Sequence, residues 1–171
     1  MAHERFMRRA LELARQGLEE GEQPIAALLV VDGEILAESF WRGDQEAGVL
    51  RHPELVVLLE ADLRVASRRR DAILYTTLEP CPMCMGAAMA FFVGTVVYAL
   101  DSPLDGAARL AATWTPAAGH PARGAPASYR LPEVVGGVGA PEARQLLEEY
   151  VAARRGTSVA TWARLLLERL A

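Results

Sequence analysis

Between Ile25 and Leu100 the chain switches hydrophobic period four times, and that alternation leaves few folds open to it. Ile25 to Val31 and Glu34 to Trp41 are β-like runs around Asp32-Gly33, a pair that tolerates positive φ and so predicts a two-residue hairpin of antiparallel strands. Pro53 to about Ala66 then spaces Leu55, Leu58, Leu59 and Leu63 as a helix does, and Pro82 to Phe92 reads the same way. Each opens on proline, which suits a first helical turn because the amide it lacks has no partner there. Ala72 to Leu78 and Thr95 to Leu100 read as strands. Strand, helix, strand, helix, strand predicts a parallel α/β layout.

The flanks add helices. Phe6, Ala10, Leu13, Ala14 and Leu18 recur at helical spacing from Glu4 to Glu20, and Gly21 and Pro24 close that segment. Ser102 to Pro132 is rich in proline, glycine and alanine and is expected to be a long loop over one face of the sheet. Val134 to Val138 is expected to add a fifth strand. Pro141 to Arg155 and Ser158 to Leu170 read as two helices parted by Gly156. With no internal repeat and no linker, residues 1–171 are expected to form one domain whose C-terminal helices begin near 141.

Charge narrows the partners. The net charge is −4, all eighteen cations are arginine, and a clustered positive excess of the kind that grips phosphates is missing. No apolar run reaches the roughly 18 to 20 residues a bilayer requires, and no charged start precedes an apolar segment. We therefore expect a cytoplasmic protein without membrane contact. Its two cysteines, Cys81 and Cys84, stand too close in sequence to staple a fold, which favours a metal or redox role.

The chemistry sits at two of the predicted helix starts: His52-Pro53-Glu54, and Pro80-Cys81-Pro82-Met83-Cys84. An H-x-E followed by P-C-x-x-C is the signature of zinc-dependent deaminases. With TLEPCPMC at residues 77–84, and an element order that matches from residue 5 to about 100, the chain resembles the cytidine and deoxycytidylate deaminase superfamily. The likeness is greatest to its branch of tRNA adenosine, guanine and cytosine deaminases. That resemblance implies a three-layer α/β/α sandwich with a mixed five-stranded sheet, one zinc per chain, a homodimer, and hydrolysis of an exocyclic amine on a small heterocycle. The residues support it independently. A catalytic zinc takes three protein ligands of nitrogen and sulfur and leaves the fourth position for water, and His52, Cys81 and Cys84 supply three. The i, i+3 spacing puts both sulfurs on one face of a helix's first turn, where the partial positive charge favours thiolates. Glu54 is left to move protons from water to the ring and the leaving amine.

Plainer readings exist for each part. A lone C-x-x-C suits a redox pair, and a zinc that only stabilises a fold suits an inactive interaction module. The first lacks a reason for H-x-E one helix upstream; the second normally has four protein ligands, and His3 and His120 are remote in sequence. Met83, Met85, Met89, Phe91 and Phe92 are expected in the core. Arg68-Arg69-Arg70 is expected to be a solvated helix terminus, with RNA contact as its alternative, and His120-Pro121 a loop.

The chain also departs from the pattern it resembles. The middle residue of the histidine triplet there offers an amide to the base, and Pro53 has none. An asparagine that recognises base or ribose aligns with Trp41 by the register of ILAESFWR, and the chain contains no asparagine, leaving the role vacant or to Asp44 or Gln45. Two such losses, at about 1 to 3 kcal/mol each, would change specificity before they stopped the reaction. By analogy with the branch, Ile25 packs on the ring and Pro80 offers its carbonyl to the leaving amine. PIAALLV at 24–30 and Asp101 after the fourth strand match the tRNA deaminases, which keeps wobble-adenosine deamination as the alternative function. The expected substrate remains a small aminated heterocycle bound by Ile25, Trp41, Pro53, Pro80 and Asp101.

Overall fold

A computed structural model describes residues 2–43, 48–113 and 129–170. The elements run α1 (Ala2–Glu19), β1 (Ala26–Val31), β2 (Glu34–Phe40), α2 (Pro53–Val65), β3 (Ile73–Leu78), α3 (Pro82–Phe91), β4 (Thr95–Leu100), α4 (Ala108–Thr113), β5 (Glu133–Val135), α5 (Ala140–Ala153) and α6 (Ser158–Arg169). The sheet order is β2-β1-β3-β4-β5. β1 is antiparallel to both neighbours, whereas β3, β4 and β5 are parallel, so the five-stranded sheet is mixed.

Every residue of β1 is buried, because helices cover both faces of the sheet. Leu28 and Val30 point into one core with Phe6, Met7, Leu13, Leu146 and Leu166 from α1, α5 and α6. Leu29 and Val31 alternate into the other with Val57, Ala61, Met85 and Ala88 from α2 and α3. The result is the three-layer α/β/α sandwich. Asp32 and Gly33 both have positive φ, +52° and +79°, as the hairpin requires.

The secondary structure differs from the sequence expectation in three places. Part of the stretch expected as loop from Ser102 to Pro132 is the six-residue helix α4, too short to show a period of its own. β5 covers Glu133–Val135 rather than reaching Val138. α2 gives way at Ala66, whose φ is +48°, to a 3-10 turn from Ala66 to Asp71. Arg68 in that turn binds Asp32 of the hairpin at 2.8 Å and Arg69 binds Asp62 at 2.6 Å. Because Val30 pairs with Ile73, these arginines lie where β3 begins, away from the end at which Leu78 leads into the cysteine motif. Of the five residues expected in the core, Met85, Met89 and Phe91 are buried, whereas Met83 and Phe92 are half-buried. Asp44, Gln45 and His120 lie outside the described residues.

Candidate metal and active site

Both motif helices begin alike. His52 and Cys81 occupy the N-cap positions with extended backbones (φ/ψ −60°/137° and −68°/169°), and Pro53 and Pro82 follow inside the first turn. The first helical bonds run from Val56 N–H to His52 O at 3.1 Å and from Met85 N–H to Cys81 O at 2.9 Å. A residue at this position usually turns its side chain back to cap the helix, but neither His52 nor Cys81 does so. Both side chains are thereby left for another partner, and Glu54 and Cys84 come from the same two turns.

The three donor atoms form a small triangle. His52 Nδ1 lies 3.8 Å from Cys81 Sγ and 3.5 Å from Cys84 Sγ, and the sulfurs are 3.6 Å apart. The edge of a tetrahedron is about 1.6 times its bond length, so zinc bonds of about 2.0 to 2.3 Å require donor separations of roughly 3.3 to 3.8 Å. The charges agree with the spacing. The Cys84 thiol beside it, and His52, pull Cys81 down to about 4. Cys81 in turn, together with burial and Glu54, holds Cys84 well above the ordinary thiol range. Left to themselves the two thiols thus keep one proton between them, and a divalent cation is what would let both ionise. Among the described residues this is the one group of three or more metal-ligating side chains gathered closely enough to hold an ion.

Glu54 stands beside the triangle, 3 % exposed. Its Oε1 accepts the Thr76 hydroxyl at 2.8 Å, and Oε2 lies 3.5 Å from Cys84 Sγ. Burial raises its carboxyl above the usual range, against the opposing pull of its own backbone amide, Thr76 and His52. His52 is raised as well, first by its hydrogen bond with Cys81.

His52, Glu54 and Cys81 line a cavity of about 330 Å³. Ile25 and Trp41, both anticipated, share the lining; the Trp41 ring meets His52 edge-on at 5.0 Å, and its amide donates to Ile25 O at 2.8 Å. Pro53 and Pro80 are buried and stand outside the lining, and the Pro80 carbonyl accepts the Ala107 amide at 2.9 Å. Asp101 accepts the Tyr98 hydroxyl at 2.8 Å and belongs to a separate depression with Arg109 and Arg169. The sequence reading missed Gln23, Leu78, Glu79, Asp105, and Ser158, Val159 and Trp162 of α6, all of which line the cavity. It also missed Thr76. Thr76 and Glu79 stand within five residues of the cysteine motif, a signal that could have drawn attention to them. α6 carries no such marker.

Two helix starts that hold a zinc-sized N/S₂ triangle next to a buried carboxylate, at one end of a mixed sheet, define a zinc-site domain of the deaminase kind. Residues 1–100 match the family model described as the cytidine and deoxycytidylate deaminase zinc-binding region, and the chain belongs to that family. It is 39 % identical over 104 residues to the tRNA-specific adenosine deaminase of Bacillus subtilis (strain 168), covering 60 % of this chain and 65 % of that protein, just under two thirds of its length. A solved structure from work on A-to-I editing by tRNA:A34 deaminases superposes with a TM-score of 0.67 at 31 % identity, over 83 % of this chain and 98 % of that one. The guanine deaminase of Bacillus subtilis superposes with a TM-score of 0.56, also at 31 % identity, over 74 % and 84 %.

Proposed function

We propose that the chain is a zinc-dependent hydrolase that removes the exocyclic amine of a small, unphosphorylated heterocycle, leaving a carbonyl and releasing ammonia. The observation that carries this reading is the cavity beside Glu54. At about 330 Å³ it is near the lower end of ligand pockets, its wall includes Glu79 and Asp105, and among the described residues no arginine lines it. Carboxylates repel phosphate, whereas a neutral amino-heterocycle of the kind the guanine deaminase relative acts on fits both the size and the charge.

A zinc held by His52, Cys81 and Cys84 supplies the Lewis acidity that makes a water nucleophilic at neutral pH. Glu54 takes a proton from the attacking water and delivers it to the ring nitrogen, and then carries a second to the amine as the carbon–nitrogen bond breaks. Thr76 holds one carboxylate oxygen, so the other stays on the side of the sulfurs. Trp41, Ile25 and the residues of α6 surround the ring and exclude water. A cytoplasmic setting belongs to the same proposal, since thiols meant for a metal must stay reduced. Among the described residues no helix is long and apolar enough to cross a membrane.

The test is ammonia release from a panel of purine, pyrimidine, pterin and triazine amines by zinc-loaded protein. Glu54→Gln is expected to lower kcat by about 10² to 10⁴ while zinc per chain stays constant. Activity that survives the substitution would sink the mechanism, and a zinc-loaded wild type that releases ammonia from none of the amines would favour the inactive-module reading.

Wobble-adenosine deamination is the second reading, favoured by the tRNA-specific relatives. It requires phosphate contacts, but Arg68 and Arg69 bind Asp32 and Asp62 at the other end of the sheet, and Arg42 near the cavity binds Glu20. A salt-dependent tRNA-binding assay separates the two: binding at low salt that falls steeply with added salt would support the tRNA reading, and none would remove it.

We also propose a homodimer, through the outer face of α2. Leu59 and Leu63, one turn apart, are 77 % and 92 % exposed, and Val49 and Leu50 in the turn before α2 are 81 % and 67 % exposed. Leu63→Glu is expected to yield a monomer by sedimentation with its fold intact; an unchanged sedimentation coefficient would place the contact elsewhere.

A further inference from the structure

We propose that Gln23 reads the hydrogen-bonding edge of the substrate ring; this deepens the deaminase reading above and rests on it. Glu54, Glu79 and Asp105 only accept when ionised, the indoles of Trp41 and Trp162 only donate, and His52 and Cys81 are placed for the metal. Among the described residues of the lining, Gln23 is the one side chain whose single planar group offers donors and an acceptor side by side. Of the other described glutamines, Gln16 binds Glu20 and Gln145 binds Glu149 on exposed faces.

The residue is also held ready. It is 6 % exposed. Gly21, at φ +88°, closes α1, and the Glu22 amide donates back to Gly17 O at 2.8 Å. The Gln23 carbonyl accepts the Ile25 amide at 2.8 Å. Just beyond, the Ala26 amide donates to Thr77 Oγ1 at 3.0 Å and the Thr77 hydroxyl donates to Pro24 O at 3.4 Å. The chain on either side of Gln23 is thus tied to α1 and to β3, so little ordering remains to be done when a ring arrives. A carboxamide has two N–H donors and two acceptor lone pairs, enough for protein partners and a two-point contact with a ligand. The ligand chemistry that fits is a planar ring with a donor and an acceptor on adjacent atoms, as a ring N–H beside a carbonyl provides; a carboxamide pairs with such an edge as it does with a base edge in a DNA groove. Gln23 therefore fills the role left open by the missing asparagine, from the opposite flank of the β1–β2 hairpin.

The experiment compares ring pairs that differ in that edge: cytosine against 4-aminopyrimidine, and guanine against 2-aminopurine. Zinc-loaded wild type, Gln23→Met (the same length without hydrogen bonding) and Gln23→Glu are assayed for ammonia release. Binding is read in parallel by tryptophan quenching in a Glu54→Gln background. Gln23→Met is expected to raise KM and the dissociation constant for the oxo ring by about tenfold or more, with kcat within about threefold, zinc content constant, and the ring lacking the carbonyl unaffected. Equal losses within a pair, no loss, or a fall in kcat at constant KM would overturn the proposal while leaving the deaminase reading intact. A wild type that neither binds nor deaminates any of the four rings would overturn the proposal, and the deaminase reading with it where the pterin and triazine amines fail as well.

Discussion

Thr76 stands outside the cavity lining, yet it holds one oxygen of the Glu54 carboxylate. Its side chain is fully buried on β3 and gives its hydroxyl to Oε1. Thr76→Val keeps the shape and removes the donor, so one oxygen of a buried carboxylate loses its partner at a cost of about 1 to 3 kcal/mol. We expect kcat to fall by roughly tenfold with zinc content unchanged; a lower melting temperature with kcat untouched would make Thr76 a packing residue only. The sequence identified Glu54 through its spacing from His52. It could not identify Thr76, because a buried threonine in a strand looks like any β-branched core residue until packing sets it against the start of α2. Pro53 shows the converse: as the residue between histidine and glutamate it drew notice, but in the structure it is a buried first-turn proline outside the cavity, whereas Trp41 and Gln23 line it.

Among the elements, α6 does the least expected work. Thr157 caps it, accepting the Ala160 amide at 3.1 Å, and Ala160, Ala163 and Leu166 anchor it in the core, which leaves Ser158, Val159 and Trp162 to form part of the cavity wall. Trp162→Ala is expected to raise KM about tenfold for the preferred ring, to widen the range of rings accepted, and to leave zinc content unchanged. An unaltered KM would place the wall elsewhere. The hairpin, α2, α3 and β4 were legible because a local rule marks each: Asp32-Gly33 for the turn, proline for the two helix starts, and a short β-branched and apolar run for Thr95–Leu100, whose bounds the structure reproduces. α6 was legible as a helix and illegible as a wall, since periodicity reports which face is apolar and says nothing of what that face meets more than a hundred residues earlier in the chain. α4 was hidden by its length.

At the scale of the molecule the sheet has two unlike ends. One carries the hairpin turn and the paired arginines; at the other, the segments before β1, after β2 and after β3 meet the starts of α2 and α3 around the cavity. That convergence joins the folding of two helices, α2 and α3, to one ion. Removing zinc with a chelator is expected to abolish ammonia release and to lower the melting temperature, both restored by added zinc. Ligand linkage gives about 4 kcal/mol at a thousandfold excess over the dissociation constant. An unchanged melting temperature would show that the helix starts stay together without the metal.

The 3.6 Å between Cys81 Sγ and Cys84 Sγ has a further consequence, one of durability. With Cys81 ionised at neutral pH and Cys84 against it, a bare site holds a nucleophilic thiolate beside the thiol it would join, and a mild oxidant needs to remove only two electrons and the remaining proton to couple them. Whatever occupies the site therefore also protects it: the ion keeps the sulfurs apart and engaged, and a chain stripped of metal in air ages toward a form that no added zinc recovers until a reductant reopens it.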